Sequence, residues 1–142
     1  MLEPKEKLLI GIDPDVTKSG VATNELFLTN LTFFELFDFL NLNKKIHKEI
    51  EVYVECGFLN KSNWHKTNGS NSINAQIGQR TGANHEVAKK IVEMCRYLGI
   101  MYYEIKPTRS KVNSDFFKQI TKIDKRTNQE QRDAYMLIYG KK

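Results

Sequence analysis

The sequence of 142 residues has few of the side chains that cross-link a small fold or bind zinc. Its two cysteines, Cys56 and Cys95, form no CxxC pair, so neither a disulfide framework nor a thiolate metal site is expected. The three histidines, His47, His65 and His85, lack the spacing of zinc ligands. A packed core in a reducing compartment must therefore hold the fold together.

Long apolar segments are absent as well. The first seven residues lack the apolar region of a signal peptide, and no stretch has the length needed to cross a bilayer. We therefore expect a cytoplasmic protein with no membrane partner. Since 40% of the residues are hydrophobic, the chain can bury a core, and its length predicts one domain over residues 1–142.

Acidic residues are outnumbered by basic ones. The chain has 22 Lys and Arg against 17 Asp and Glu, a formal net charge of +5. A basic surplus favours a polyanionic partner, because every phosphate that is neutralised releases condensed counterions. The net charge alone therefore favours a nucleic-acid partner but does not establish one.

The hydrophobic patterns predict a mixed α/β sheet flanked by helices. Strands are predicted over residues 7–13, 20–23, 25–31, 51–55 and 100–105. Helices are predicted over residues 32–47 and 82–98, after the basic stretch at 106–111, and over 128–139. The first three strands form an antiparallel meander, and a helical crossover makes the last two strands parallel. Residues 57–80 are rich in Asn and Ser and predict a long loop of the kind that often carries function.

Four acidic residues lie at positions where their carboxylates could bind a metal ion. Asp13 and Glu55 each end a strand, while Glu130 and Asp133 lie three residues apart on one face of the last helix. If strand ends and helix face meet, several negative charges gather, and such a cluster needs cations. Oxygen ligands of this kind suit Mg²⁺ or Mn²⁺, and two ions about 4 Å apart can clamp a phosphodiester.

Each carboxylate also has a plainer interpretation. Asp13 can begin an Asp-Pro-Asp turn, and Glu55 can be an exposed strand end. Glu130 can complete a capping box that begins at Thr127. Asp133 is the hardest to explain without a metal, because the same side of its helix is otherwise apolar.

The ordered set of motifs resembles the RuvC-type Holliday junction resolvases, nucleases of the RNase H-like superfamily. The resemblance is carried by residues 11–22 (Gly-Ile-Asp-Pro-Asp-Val-Thr-Lys-Ser-Gly-Val-Ala), Val54-Glu55, the helix at 82–98, the Ile105-to-Lys111 segment and Arg132-Asp133-Ala134. It covers nearly the whole chain, although only the opening motif is distinctive by itself. Three features depart from the family pattern: Glu130 in place of aspartate, Asp15 in place of glycine, and the 57–80 loop.

The resemblance implies an RNase H-like fold with a five-stranded mixed sheet, a homodimer, and cleavage of four-way DNA junctions with two Mg²⁺ ions that Mn²⁺ can replace. It makes Asp13, Glu55, Glu130 and Asp133 metal ligands and catalytic residues, and Lys111 a phosphate contact or transition-state helper. The loop after Glu55 would enter the junction with an aromatic wedge. The candidate DNA contacts are Phe58, Lys61, Trp64, Lys66, Arg80, Lys106, Arg109 and Lys111.

Several alternatives remain open at this point. Trp64 can equally be a core residue, and Lys106, Arg109 and Lys111 can form a merely solvated basic face. The same fold can instead cut RNA–DNA hybrids, flaps or forks, or the chain can be a module that binds branched nucleic acid without cutting it. By analogy, the small size suits a phage-encoded protein that acts in the host cytoplasm.

Overall fold

The structure is a computed structural model that describes residues 5–60, 71–108 and 110–142, with residues 5 and 71–77 described by their backbone alone. The strands are β1 (Lys5–Asp13), β2 (Ser19–Thr23), β3 (Leu28–Leu31), β4 (His47–Glu55) and β5 (Met101–Ile105). The helices are α1 (Phe33–Ile46), α2 (Asn71–Leu98), α3 (Ser114–Thr121) and α4 (Gln129–Met136), with a short 3-10 helix at Gly57–Leu59. Within the described ranges, no helix combines the length and apolar character needed to cross a lipid bilayer.

All five strands form one sheet in the order β3-β2-β1-β4-β5. β1 to β3 pair antiparallel, whereas β4 runs parallel to both β1 and β5. The predicted mixed sheet, with an antiparallel meander followed by parallel strands, is confirmed. Parallel pairing of β1 and β4 matters for function, because it brings the carboxyl ends of two strands to the same edge of the sheet.

The sheet is covered on both faces, as the nearly continuous apolar run of β1 predicts. Leu8, Ile10 and Ile12 point to one face and belong to the main core cluster with α1 and α2 residues such as Leu40 and Ile91. Helix α4 packs on the opposite face of β1 and β2. Successive residues of β1 therefore serve two different layers, and Asp13 shares its face with Gly11 beneath α4.

Two glycines allow α4 to lie unusually close to the sheet. A Cβ placed on Gly11 would meet the carbonyl oxygen of Ala134 at 1.9 Å, and one on Gly20 would meet the carbonyl oxygen of Glu130 at 2.3 Å. Any other residue at either position would push the helix away. The glycines thus fix the height of α4 above the strand end that carries Asp13, which lies opposite Gly20 in the β1–β2 pair.

Two predicted boundaries were wrong by four residues or more, while the third strand begins at Leu28 and the last helix ends at Met136, each three residues from its predicted position. β4 begins at His47, not residue 51. Its first three residues, His-Lys-Glu, are polar and show no apolar alternation that would indicate a strand, and Lys48 forms a cross-strand ion pair with Glu6 at 4.0 Å. Helix α2 begins at Asn71, inside the predicted 57–80 loop. Residues 78–80 of this helix are exposed, so this part of α2 also lacks the apolar periodicity that a core-facing helix shows.

Candidate active site at the carboxyl edge of the sheet

The ends of β1 and β4 place two acidic residues side by side. Ile12 and Val54 are opposite each other in the parallel ladder, so the next residues, Asp13 and Glu55, leave the sheet at the same edge. Both side chains are only partly accessible. The predicted meeting of these strand-end carboxylates is therefore what the backbone register produces.

Helix α4 brings the other two carboxylates to this edge. Its N-cap is Asn128, whose side chain accepts a hydrogen bond from the Gln131 amide, and Gln131 completes a capping box. The alternative capping box from Thr127 to Glu130 is therefore wrong, and Glu130 has no capping role. Glu130 lies exposed in the first turn against Gly20, and Asp133 lies three residues further on and is more deeply placed.

Asp13 is the carboxylate on which the charges of all the other residues of this group act. Burial, reinforced by the charges of Glu55, Asp133 and Glu130 and opposed by Lys111, raises the pKa of Asp13 to about 8. Among the described residues, no hydrogen bond or ion pair reaches its carboxylate. A carboxylate that is buried, surrounded by like charges and left without a donor is strongly stabilised by any cation that binds there.

Lys111 is the cation that the fold itself supplies. Its Nζ lies 3.0 Å from Oδ2 of Asp133 and 3.8 Å from Oε1 of Glu55. Burial raises the pKa of Glu55, while Lys111 counteracts this effect. Burial lowers the pKa of Lys111, but the neighbouring carboxylates outweigh burial and raise it above its ordinary value. Lys111 therefore remains an ammonium ion between two of the acids.

A hydrogen-bond network fixes Asp133 and the backbone beside Lys111. Gln129 donates from Nε2 to Oδ1 of Asp133 at 2.8 Å and to the carbonyl of Val112 at 3.3 Å. The buried Arg132 donates to the same carbonyl at 2.9 Å and to Oε1 of Gln129 at 3.0 Å. Sequence reasoning missed both residues. The only signal in the sequence was the charge of Arg132, because this residue lies in a helix whose apolar residues were expected in the core.

The donor chemistry of this group fits a hard divalent ion, but the side chains are not arranged around one. Among the described residues, no three His, Cys, Asp or Glu side chains are placed so that they could hold a metal ion together. The sequence predicted four ligands, and the structure gathers the other three carboxylates near Asp13, with Lys111 between two of them. The oxygen-only donor set and the unpartnered Asp13 suit Mg²⁺ or Mn²⁺.

Two cavities open on either side of Lys111. One, of about 330 Å³, is lined by Asp13, Glu55, Asn84, His85 and Lys111, among others. The other, of about 270 Å³, is lined by Glu55, Lys106, Lys111, Asp133 and Lys141, among others. Asp13 and Glu55 therefore face the first cavity, and Glu55 and Asp133 face the second, with Lys111 in the wall of both, whereas Glu130 lines neither cavity. The walls contributed by Asn84 and His85 were not predicted.

The β1–β2 turn, which departs from the family pattern at Asp15, is tied to helix α2. Asp15 forms a 2.9 Å ion pair with Arg80, and the Val16 amide donates to Oδ1 of Asn84 at 3.0 Å. The additional negative charge beside Asp13 is thus compensated by a neighbouring guanidinium. Arg80 was predicted to contact nucleic acid, and in the free protein its charge is directed to Asp15.

Apart from Arg80 and Lys111, the predicted nucleic-acid contacts fall into three groups. Phe58 is partly buried against the core, edge-on to the His85 ring at 6.5 Å, with Lys89 over its face at 5.5 Å. In this position it packs against the core instead of projecting as a wedge. Lys106 is exposed at the second cavity. The remaining predicted contacts lie outside the described residues: Lys61, Trp64, Lys66 and Arg109.

Comparison with known proteins identifies the fold. A scan against protein-family models finds no match, and no curated protein matches the chain. Among solved structures, it is similar to Thermus thermophilus RuvC in complex with a Holliday junction substrate, with a TM-score of 0.52 and 12% identity over 92% of this chain and 89% of that one. A second structure of RuvC from that organism aligns with a TM-score of 0.39 and 13% identity, over 92% of this chain and 94% of that one. The mixed five-stranded sheet with its helices is therefore an RNase H-like fold of the RuvC kind.

Proposed function

We propose that this chain is a RuvC-type, metal-dependent endodeoxyribonuclease that resolves four-way DNA junctions. The observation that carries the proposal is the meeting of Asp13, Glu55 and Asp133, beside Lys111, at one edge of an RNase H-like sheet. The mutual repulsion of these acids destabilises the fold, Lys111 offsets only part of it, and a bound divalent cation would relieve the rest. The nuclease domain in this proposal spans residues 1–142.

In the proposed reaction, water adds across a phosphodiester so that the P–O3′ bond breaks, leaving a 5′-phosphate and a 3′-hydroxyl that takes the proton. Bound Mg²⁺, two ions in this proposal, would supply the positive charge that activates water and neutralises the phosphate. Asp13, Glu55, Asp133 and the more exposed Glu130 would hold the metal. Lys111 faces the same space and is placed to stabilise charge on a non-bridging phosphate oxygen.

The proposed substrate is branched DNA, bound by a homodimer in the cytoplasm. Its support is the net charge of +5, the exposed Lys106 beside the carboxylates, and the similarity to a RuvC structure that was solved with a Holliday junction. Two copies of the site, one in each protomer, would cut two opposed strands of a four-way junction symmetrically. RNA–DNA hybrids and forked DNA are the competing substrates for the same chemistry.

Substitution of Asp13 by Asn tests the proposal directly. Purified protein is incubated with a labelled four-way junction, a fork and an RNA–DNA hybrid, with Mg²⁺ or with a chelator. We expect the parent to cut the junction only with Mg²⁺, and the D13N variant to lose cleavage by at least about a hundredfold while it still binds the junction, because a neutral amide is a poor ligand for Mg²⁺. Cleavage by D13N at the parent rate would refute the assignment.

One observation favours a second candidate, a module that binds branched DNA without cutting it. Within the described part of the chain no three carboxylates are placed to hold a metal ion together, and Lys111 already forms ion pairs with two of them. Calorimetric titration with Mn²⁺ separates the two proposals. Binding in the millimolar range or tighter is expected of the nuclease, and its absence from both free and junction-bound protein would favour the module.

A further inference from the structure

We propose that the Lys111 ammonium is a built-in counter-cation, which occupies the oxygens of Glu55 and Asp133 and which a divalent ion must displace in order to bind there. The inference concerns the same site as the proposed function and rests on it for the identity of the ligand. It assigns to Lys111 a role in the metal-free protein that a phosphate contact alone does not require.

The argument begins with the two oxygens of Asp133. Oδ1 accepts a hydrogen bond from Gln129 at 2.8 Å, and Oδ2 lies 3.0 Å from Nζ of Lys111. An Mg²⁺ ion on Oδ2 would lie about 2.1 Å from an oxygen that already has the Lys111 ammonium 3.0 Å away. The two cations would then be held within a few ångströms of each other and would repel strongly. Metal binding to Oδ2 therefore displaces Lys111 from Asp133.

The surroundings of Lys111 allow it to leave. Its side chain is 48% exposed, has four rotatable bonds and lies between cavities of about 330 and 270 Å³. The backbone beside it is fixed, since the carbonyl of Val112 accepts hydrogen bonds from Gln129 and Arg132. Displacement is thus a side-chain rotation with no change in the fold, and the released ammonium stays within reach of a phosphate in the cleft.

The expected consequence is a metal affinity lower than the carboxylates would give by themselves. Replacing Lys111 with Met keeps a similar chain length and removes the competing charge. We expect the K111M variant to bind Mn²⁺ at least about tenfold more tightly than the parent, which corresponds to the loss of one charge-assisted contact. Lys106 lines the second cavity but forms no ion pair with these acids, so the matched variant K106M removes a nearby charge without removing the contact.

The experiment is calorimetric titration of the full chain, without DNA, with MnCl₂. Tighter binding by K111M, together with K106M within about twofold of the parent, supports the counter-cation. Equal or weaker binding by K111M overturns it, and so does equal tightening by both variants, because that would be a general charge effect. If K111M does not fold, K111Q replaces it.

Thermal melting gives a second readout. In chelator, K111M and K111Q should melt below the parent because Glu55 and Asp133 lose their counter-charge, and saturating Mg²⁺ should narrow or reverse this difference. A difference that is the same with and without Mg²⁺ overturns the inference. If the parent cuts junctions but K111M shows no gain in affinity, the inference fails and the proposed function stands. If K111M gains affinity but no chain cuts, the function fails and the counter-cation stands.

Discussion

Substitution of Gly20 by Ala tests whether the close approach of α4 builds the site. The added Cβ would lie 2.3 Å from the carbonyl oxygen of Glu130, whereas ordinary contact begins at 3.4 Å. The first turn of α4 must therefore retreat by about 1 Å, because the obstacle is backbone and cannot rotate away. Overpacking of this kind costs about 1–3 kcal/mol in the free energy of unfolding.

The same retreat moves the α4 carboxylates away from Asp13. Metal–ligand distances tolerate about 0.2 Å, and a misplacement of 1 Å in a catalytic group can cost about a hundredfold in rate. We therefore expect G20A to lower Mn²⁺ affinity about tenfold or more and junction cleavage about a hundredfold, while the protein still folds. Urea unfolding, Mn²⁺ calorimetry and single-turnover cleavage at 25 °C measure the three quantities.

The matched control is Gly78→Ala, because Gly78 lies in helix α2 and a Cβ there would meet no atom within 4 Å. This variant should be as stable as the parent or more stable by up to about 1 kcal/mol, since Ala favours a helix over Gly. If G20A is destabilised but keeps parental metal affinity and cleavage, then the height of α4 does not set the site and the reasoning is wrong.

Two further predictions concern Asp13 and Gln129. In chelator, the free energy of unfolding should fall as pH rises from about 4 through about 8, because the pKa of Asp13 is raised to about 8 in the folded chain from 3.8; urea melts across this range should show a flatter profile for D13N, and identical profiles would contradict it. Gln129→Met removes the donor to Oδ1 of Asp133 and should weaken Mn²⁺ binding about 10- to 100-fold in calorimetry, with junction affinity in chelator nearly unchanged. A Q129M variant with parental Mn²⁺ affinity would show that Asp133 needs no orienting partner.

The arrangement of the sheet could be predicted because it depends on local patterns. A continuous apolar run such as β1 indicates a strand covered on both faces, and a helix between two strands makes them parallel. Once the strands are in order, the positions of Asp13 and Glu55 follow, because each residue ends a strand. The meeting of these two acids was thus within reach of sequence reasoning.

The contacts that tune the site could not be predicted. The pairing of Lys111 with Asp133 and the bonds of Gln129 and Arg132 to the Val112 carbonyl join residues 17–22 positions apart, in segments with no repeating pattern. Such polar contacts depend on side-chain positions that only the packed structure determines. The close approach of α4 to Gly20 could not be predicted either. A glycine next to a turn is ordinarily attributed to the backbone conformation of the turn, so nothing in the sequence indicated a packing role.

The acids of the site come from widely separated segments, Asp13 from strand β1 and Asp133 from helix α4. On the ribosome these residues are made 120 positions apart, and helix α4 can settle on Gly11 and Gly20 only after both segments have emerged. A nascent or prematurely ended chain would then carry the opening motif but no assembled centre. Assembly of the carboxylate group is thus coupled to the docking of α4, the step that joins these distant segments.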